Sequence, residues 1–142
     1  MKKLLNIFLI TIFLVFSLLS CSKVENPYAS DIQLPKANIQ IFISSLIVDY
    51  DLDSAFWSWS FNIELKETGN VLVVIHELKI QTFLGGSFIE EVNHLSIGSV
   101  PASQSLTFPC VFFTDNEIDS FSISIKGTDS NGHAVTASQT FT

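Results

Sequence analysis

The sequence predicts an all-β chain: a single sandwich of about seven antiparallel strands occupying residues 38–142. Three observations carry this. From residue 38 onward apolar side chains recur with period two, the repeat of a strand with one wet face. β-Branched and aromatic residues alternate with serine almost throughout, and no stretch supports an amphipathic helix. Glycine, proline, asparagine and aspartate then divide the chain into short segments at the spacing of a β-sandwich.

Ile39, Ile41 and Ile43 open the first strand, and the phase slips through Ser44-Ser45-Leu46-Ile47, which predicts a bulge before Val48. The clearest strand follows, with Trp57, Trp59, Phe61, Ile63 and Leu65 inward and Ser58, Ser60, Asn62, Glu64 and Lys66 outward. Glu67-Thr68-Gly69-Asn70 is a turn, so Val71 to Phe83 is expected to form a hairpin with the tryptophan strand. In it, His76 shares the inward parity of Val74, Leu78 and Ile80. Gly85-Gly86 precedes a shorter strand from Phe88 to Leu95, and Gly98 to Ser103 is a loop around Pro101. The next strand, Ser105 to Phe113, contains Pro109, which cannot donate to a ladder and marks an edge or a bulge. Phe121, Ile123 and Ile125 face inward on the sixth strand, and Asp129-Ser130-Asn131-Gly132 turns it back into a seventh carrying Val135, Ala137 and Phe141.

Ahead of this domain, residues 22–37 hold two prolines and no sustained periodicity, and read as a flexible tether. Fully extended, it would reach about 50 Å. The first twenty residues carry two lysines and then an apolar run of sixteen, Leu4 to Leu19, shorter than the roughly twenty a membrane span needs. They read as a secretory signal with a helical apolar centre. Leu18-Leu19-Ser20-Cys21 resembles the lipobox of bacterial lipoproteins. The resemblance implies cleavage before Cys21, diacylglycerol on its sulfur and an acylated new amino terminus. Several acyl chains on one residue hold a protein stably at a membrane, where one chain would not. Ser22 stands where enterobacterial lipoproteins retained at the inner membrane carry aspartate, which points to the outer membrane in a cell that has one.

Within the domain, Lys66-Glu67-Thr68-Gly69-Asn70, the Gly85-Gly86 break and Ile97 to Ser105 around Pro101 resemble immunoglobulin-like and fibronectin type III-like modules of bacterial surface proteins, the CARDB and FxLYD kinds among them. The resemblance implies an immunoglobulin-like sandwich. Antibody-type domains are disfavoured because no inter-sheet cysteine pair is present. Such an architecture hosts many functions and specifies none.

Composition narrows the classes. With residues 1–20 removed, five lysines face fourteen carboxylates, arginine is absent, and the charge is near −9. Such a chain has little with which to neutralise a phosphate backbone, so nucleic acid is excluded as a partner. Cys110 is left without an intramolecular partner once Cys21 is lipidated, and its apolar neighbours mark it as a small buried hydrophobe.

The strongest chemical constellation is acidic: Asp49, Asp51 and Asp53 in one cluster and Asp115, Glu117 and Asp119 in another. These fall in the loops after the first and fifth strands, which share one pole in an immunoglobulin-like topology. Oxygen ligands in that number suit Ca²⁺, although the first cluster lacks the glycine and glutamate of an EF-hand loop. Loop aspartates equally serve turns and solubility. His76, His94 and His133 have no ligand spacing, no Gly-x-Ser-x-Gly elbow or phosphate cradle is present, and Glu90-Glu91 point to opposite strand faces. Phe42 and Phe113 oppose the parity of their apolar neighbours and are candidates for an exposed binding patch. The expectation is a lipid-anchored envelope module without catalytic activity or cofactor, binding a protein or surface polymer; the alternative is a Ca²⁺-stabilised adhesion domain. The tether should enter at the pole of the Gly69 and Gly132 turns and leave the carboxylates at the other.

Overall fold

Residues 33–142 are described in this computed structural model, so the signal segment, Cys21 and residues 22–32 lie outside the described residues. Seven strands follow one another: β1 Ile39–Asp51, β2 Phe56–Glu67, β3 Val73–Leu84, β4 Ser87–Val100, β5 Ser105–Thr114, β6 Ser120–Asp129 and β7 Ala134–Phe141. They pair antiparallel into a three-stranded sheet of order β1-β2-β5 and a four-stranded sheet of order β4-β3-β6-β7. The fold is the expected all-β sandwich. Its fourth strand lies in the sheet of β3, β6 and β7, not beside β5 as in a constant-type immunoglobulin domain.

Alternation builds the core. Trp59, Phe61, Ile63 and Leu65 of β2 are buried against Leu78 and Ile80 of β3 and Phe121, Ile123 and Ile125 of β6. Phe61 stacks on Phe121 with ring centroids 5.0 Å apart, and Phe112 of β5 meets both edge-on at 5.9 Å. Such aromatic pairs add about 1 kcal/mol each beyond their buried area.

The β1 bulge falls where the phase slip places it, between Ser44 and Ile47, with Ser45 at a φ of 58°. Pro109 lies on β5, an edge strand.

The expectations for the β2–β3 hairpin, His76 and the extent of β4 need correction. β2 and β3 do not form a hairpin, because they belong to different sheets. The Glu67 carboxylate is buried and accepts backbone N–H groups from Asn38, Gly69, Val71 and Ser103, which folds the chain out of the first sheet. The hairpins are instead β1–β2, β3–β4 and β6–β7, the second of them closed by Gly85-Gly86 with φ of 59° and 76°, the signs a type I′ turn requires.

His76 is exposed, not inward. A bulge between Ile75 and Glu77 advances the phase, so Val73 and Ile75 are buried before it, Leu78 and Ile80 after it, and Val74 faces water. His76 Nε2 lies 3.1 Å from Thr128 Oγ1. Finally, β4 runs on to Val100 through Gly98, which has a φ of 122° and pairs with Ile75 beside that bulge.

The lower pole holds the connections 68–72, 101–104 and 130–133, and the chain enters here. Asn131 Nδ2 donates to the Pro35 carbonyl at 2.8 Å, and Ala37 N donates to Asp129 Oδ2 at 3.2 Å. Pro35 and Ala37, expected within the flexible tether, are therefore tied to the domain.

Candidate binding pole

The upper pole is formed by the connections 52–55, 85–86 and 115–119, so both acidic clusters lie at one end, opposite the point of chain entrance. Asp49 and Asp51 belong to the end of β1, opposite Ser58 and Phe56, and not to the loop. Asp49 and Asp51 bond within their own segment, and Asp119 reaches across to another turn. Asp51 accepts from Asp53 N at 2.9 Å and Ser54 Oγ at 2.6 Å, and the serine hydroxyl chiefly holds its carboxyl below the usual range. Asp49 accepts from Tyr50 N at 2.9 Å. Asp119 accepts from Gly85 N at 2.7 Å, which links the β5–β6 loop to the β3–β4 turn. Asp115 and Glu117 are exposed beside Ile118, which plugs the loop into the core. Among the described residues no three His, Cys, Asp or Glu side chains gather as a metal set.

Apolar side chains surround these carboxylates. Leu46, Ile47, Val48, Tyr50, Leu52, Phe56, Leu84, Phe88, Val111 and Phe113 are all exposed in the upper half. A cleft of about 570 Å³ is walled by Leu52, Phe56 and Phe113 together with Asp49, Asp51 and Asp53. It opens on the outer face of the three-stranded sheet, where Ser58 and Ser60 form a low floor between Ile47 on β1 and Val111 and Phe113 on β5.

Phe113 is 62% exposed on this floor's wall, and Phe42 is 44% exposed on the same sheet face. The two are not neighbours: Phe42 pairs with Glu64 and Phe113 with Ser58, a separation of about 20 Å along β2.

A second cleft, about 320 Å³, lies between the two sheets along the β1 and β7 side. Ile43, Leu46, Trp59, Phe121 and Phe141 line it, with Asp119 at the rim. Trp59 is fixed there by donating from Nε1 to Thr114 Oγ1 at 3.2 Å. Its opening depends on how far β7 reaches over β1, which strand periodicity does not encode. The phase slip at Ser44-Ser45 was the one legible sign.

Cys110 is buried, and burial pushes its thiol up to about 11, which leaves it protonated at neutral pH.

No family profile matches this chain, and no curated protein does. Among solved structures it is similar to a Bordetella pertussis protein provisionally named ApaA, with a TM-score of 0.60 and 12% identity over 76% of this chain and 95% of that one. A structural-genomics target designated SoR45 is similar to the same degree, with a TM-score of 0.60 and 12% identity over 74% of this chain and 83% of that one. At such identity the likeness is one of fold.

Proposed function

We propose that the chain is a lipid-anchored module of the bacterial cell envelope, without catalytic activity, that binds an envelope protein or a surface polymer through its upper pole. The carrying observation is the distribution of exposed apolar side chains: they crowd the end remote from residues 34–38, where the chain joins the domain. A tether ending at lipidated Cys21 would hold the domain by its lower pole and leave that end free to meet a partner. Grouped apolar side chains of this kind mark interaction sites more often than single ones do.

The test is photocrosslinking in the native envelope, with the crosslinking amino acid at Phe113 in one variant and at Leu72, exposed near the lower pole, in another. One dominant product from position 113 and none from position 72 is expected. Equal yields from both positions would sink the proposal. In parallel, Cys21→Ser should abolish acyl incorporation and release the protein from membranes; a variant still acylated would remove the anchor from the reading.

A further inference from the structure

We infer that the upper β1/β7 side of the sandwich accepts a strand: an extended, basic segment of a partner protein pairs with the edge of β7, which no strand among the described residues covers, and lies over Leu46, Val48 and Tyr50. This rests on the binding reading above and names its partner class.

The first observation is an inner layer left uncovered. Below the β1 bulge, Ile39 and Ile41 on β1 and Val135 on β7 are buried between the sheets. Above it, Val48 lies opposite buried Trp59 and Tyr50 opposite Trp57, so both point to the inner side. Yet they are 41% and 40% exposed, and Leu46 within the bulge is 46% exposed. Gln139 of β7 likewise pairs with fully buried Ile123 and is itself exposed. A strand added beside β7 would lie about 4.8 Å further out, over these side chains and the mouth of the second cleft.

The second observation concerns the four sheet edges. Exposed edges are normally blunted by proline, bulges or charge. β5 carries Pro109, β1 carries the Ser44/Ile47 bulge, and β4 carries Glu90 and Glu91 and two irregularities in its pairing with β3. β7, Ala-Val-Thr-Ala-Ser-Gln-Thr-Phe, has no proline and no charge, and its register with β6 is unbroken from Phe121–Phe141 to Thr128–Ala134. An unguarded edge gives backbone hydrogen bonds to an incoming strand, and alternate side chains supply selectivity.

The third observation is charge. Six carboxylates, Asp49, Asp51, Asp53, Asp115, Glu117 and Asp119, belong to this pole, and Asp119 lines the cleft. The lysines of the described residues lie elsewhere: Lys36 and Lys66 toward the lower pole, Lys79 paired with Glu77 and Glu91, and Lys126 paired with Glu77. An incoming strand with lysine or arginine on one face and apolar residues on the other complements this end, and an acidic strand is repelled.

The experiment uses the full mature chain and synthetic peptides. Amide hydrogen exchange is followed on β7 without peptide, with a peptide of alternating valine and lysine, with its valine–glutamate counterpart, and with the lysine peptide interrupted by proline. The lysine peptide alone is expected to slow exchange by about tenfold or more at those amides of Ala134–Phe141 that point away from β6, and salt should weaken its binding. Gln139→Lys places a charge on the inner side of the edge and should weaken that binding by about tenfold, whereas Thr136→Lys, on the other side of the same strand, should change it less than about twofold. Melting temperatures near that of the parent show that both variants fold.

Three results overturn the inference. Protection appearing only around Phe113 assigns the peptide to the outer sheet face. Equal binding of the glutamate peptide removes the charge complementarity. Protection, already in the peptide-free chain, of the β7 amides that point away from β6 shows the edge occupied, by residues 22–32 if protection is independent of concentration and by a second copy if dilution removes it. Crosslinking from position 113 stands apart from all three: its success beside a silent β7 leaves the binding module intact without strand addition, and its failure beside a protected β7 does the reverse.

Discussion

Glu67 and Asp129 hold the lower pole together, each as one carboxylate collecting backbone N–H groups from separate segments. Glu67 is 1% exposed; burial pushes its carboxyl up, and the N–H groups of Ser103, Asn38, Gly69 and Val71 outweigh that and keep it below the usual range. Glu67→Ala strands these donors and should cost on the order of 3 kcal/mol, read as a lower urea midpoint with an unchanged slope. Asp129 is buried as well; against that burial, His133, Ala37 and Asn131 bring its carboxyl down to about 2. A group with a depressed native value binds its proton later than the unfolded chain does, so its stabilisation is complete above about pH 4 and is lost as pH falls toward 2. Unfolding midpoints should therefore drop over that window, and in Asp129→Asn the drop should be smaller while the midpoint at neutral pH is already lower. A flat profile in the parent chain would contradict this. Both residues were legible in principle: Glu67 continues the inward parity of Ile63 and Leu65, and Asp129 that of Ile123 and Ile125. A carboxylate on the buried face of a strand requires internal donors, and reading Glu67 and Asp129 as turn residues missed this.

At the scale of elements, period two reports which face a side chain occupies and says nothing about which strand lies alongside. The alternation in β2 and β6 therefore matched their buried faces, while the partner of β2 was misassigned. Partners are set by connections. The two-residue Gly85-Gly86 link can only close a hairpin, whereas residues 68–72 gave no sign of the carboxylate that bends them away. In β3 the apolar run Val71 to Ile75 hid the phase, and the bulge at Ile75/Glu77 then reversed the side on which His76 emerges. The β3–β4 turn yields a direct check. Gly86→Val forces a β-branched side chain to a φ of 76°, and should destabilise the domain by about 1–2 kcal/mol, measured by urea unfolding. Gly86→Asn, which tolerates that conformation, should restore most of the loss.

For the whole molecule, the shared pole of the two acidic clusters was legible because it follows from strand count alone: loops after odd-numbered strands fall at one end of an antiparallel sandwich. What lay beyond reach was the gap between the sheets. It sits where β1 breaks register at Ser44/Ile47 and β7 keeps an unbroken register with β6, a relation between residues about ninety positions apart in sequence that local pattern does not carry. The anchoring of Pro35 and Ala37 at the lower pole has a mechanical consequence. A partner held at the upper pole and a lipid pulling on the lower one would load β1 along its own axis. Its cross-strand bonds to β2 would then resist together, in shear, and not open one after another like a zip. A domain hung in this way is suited to carry tension between a membrane and whatever it grips.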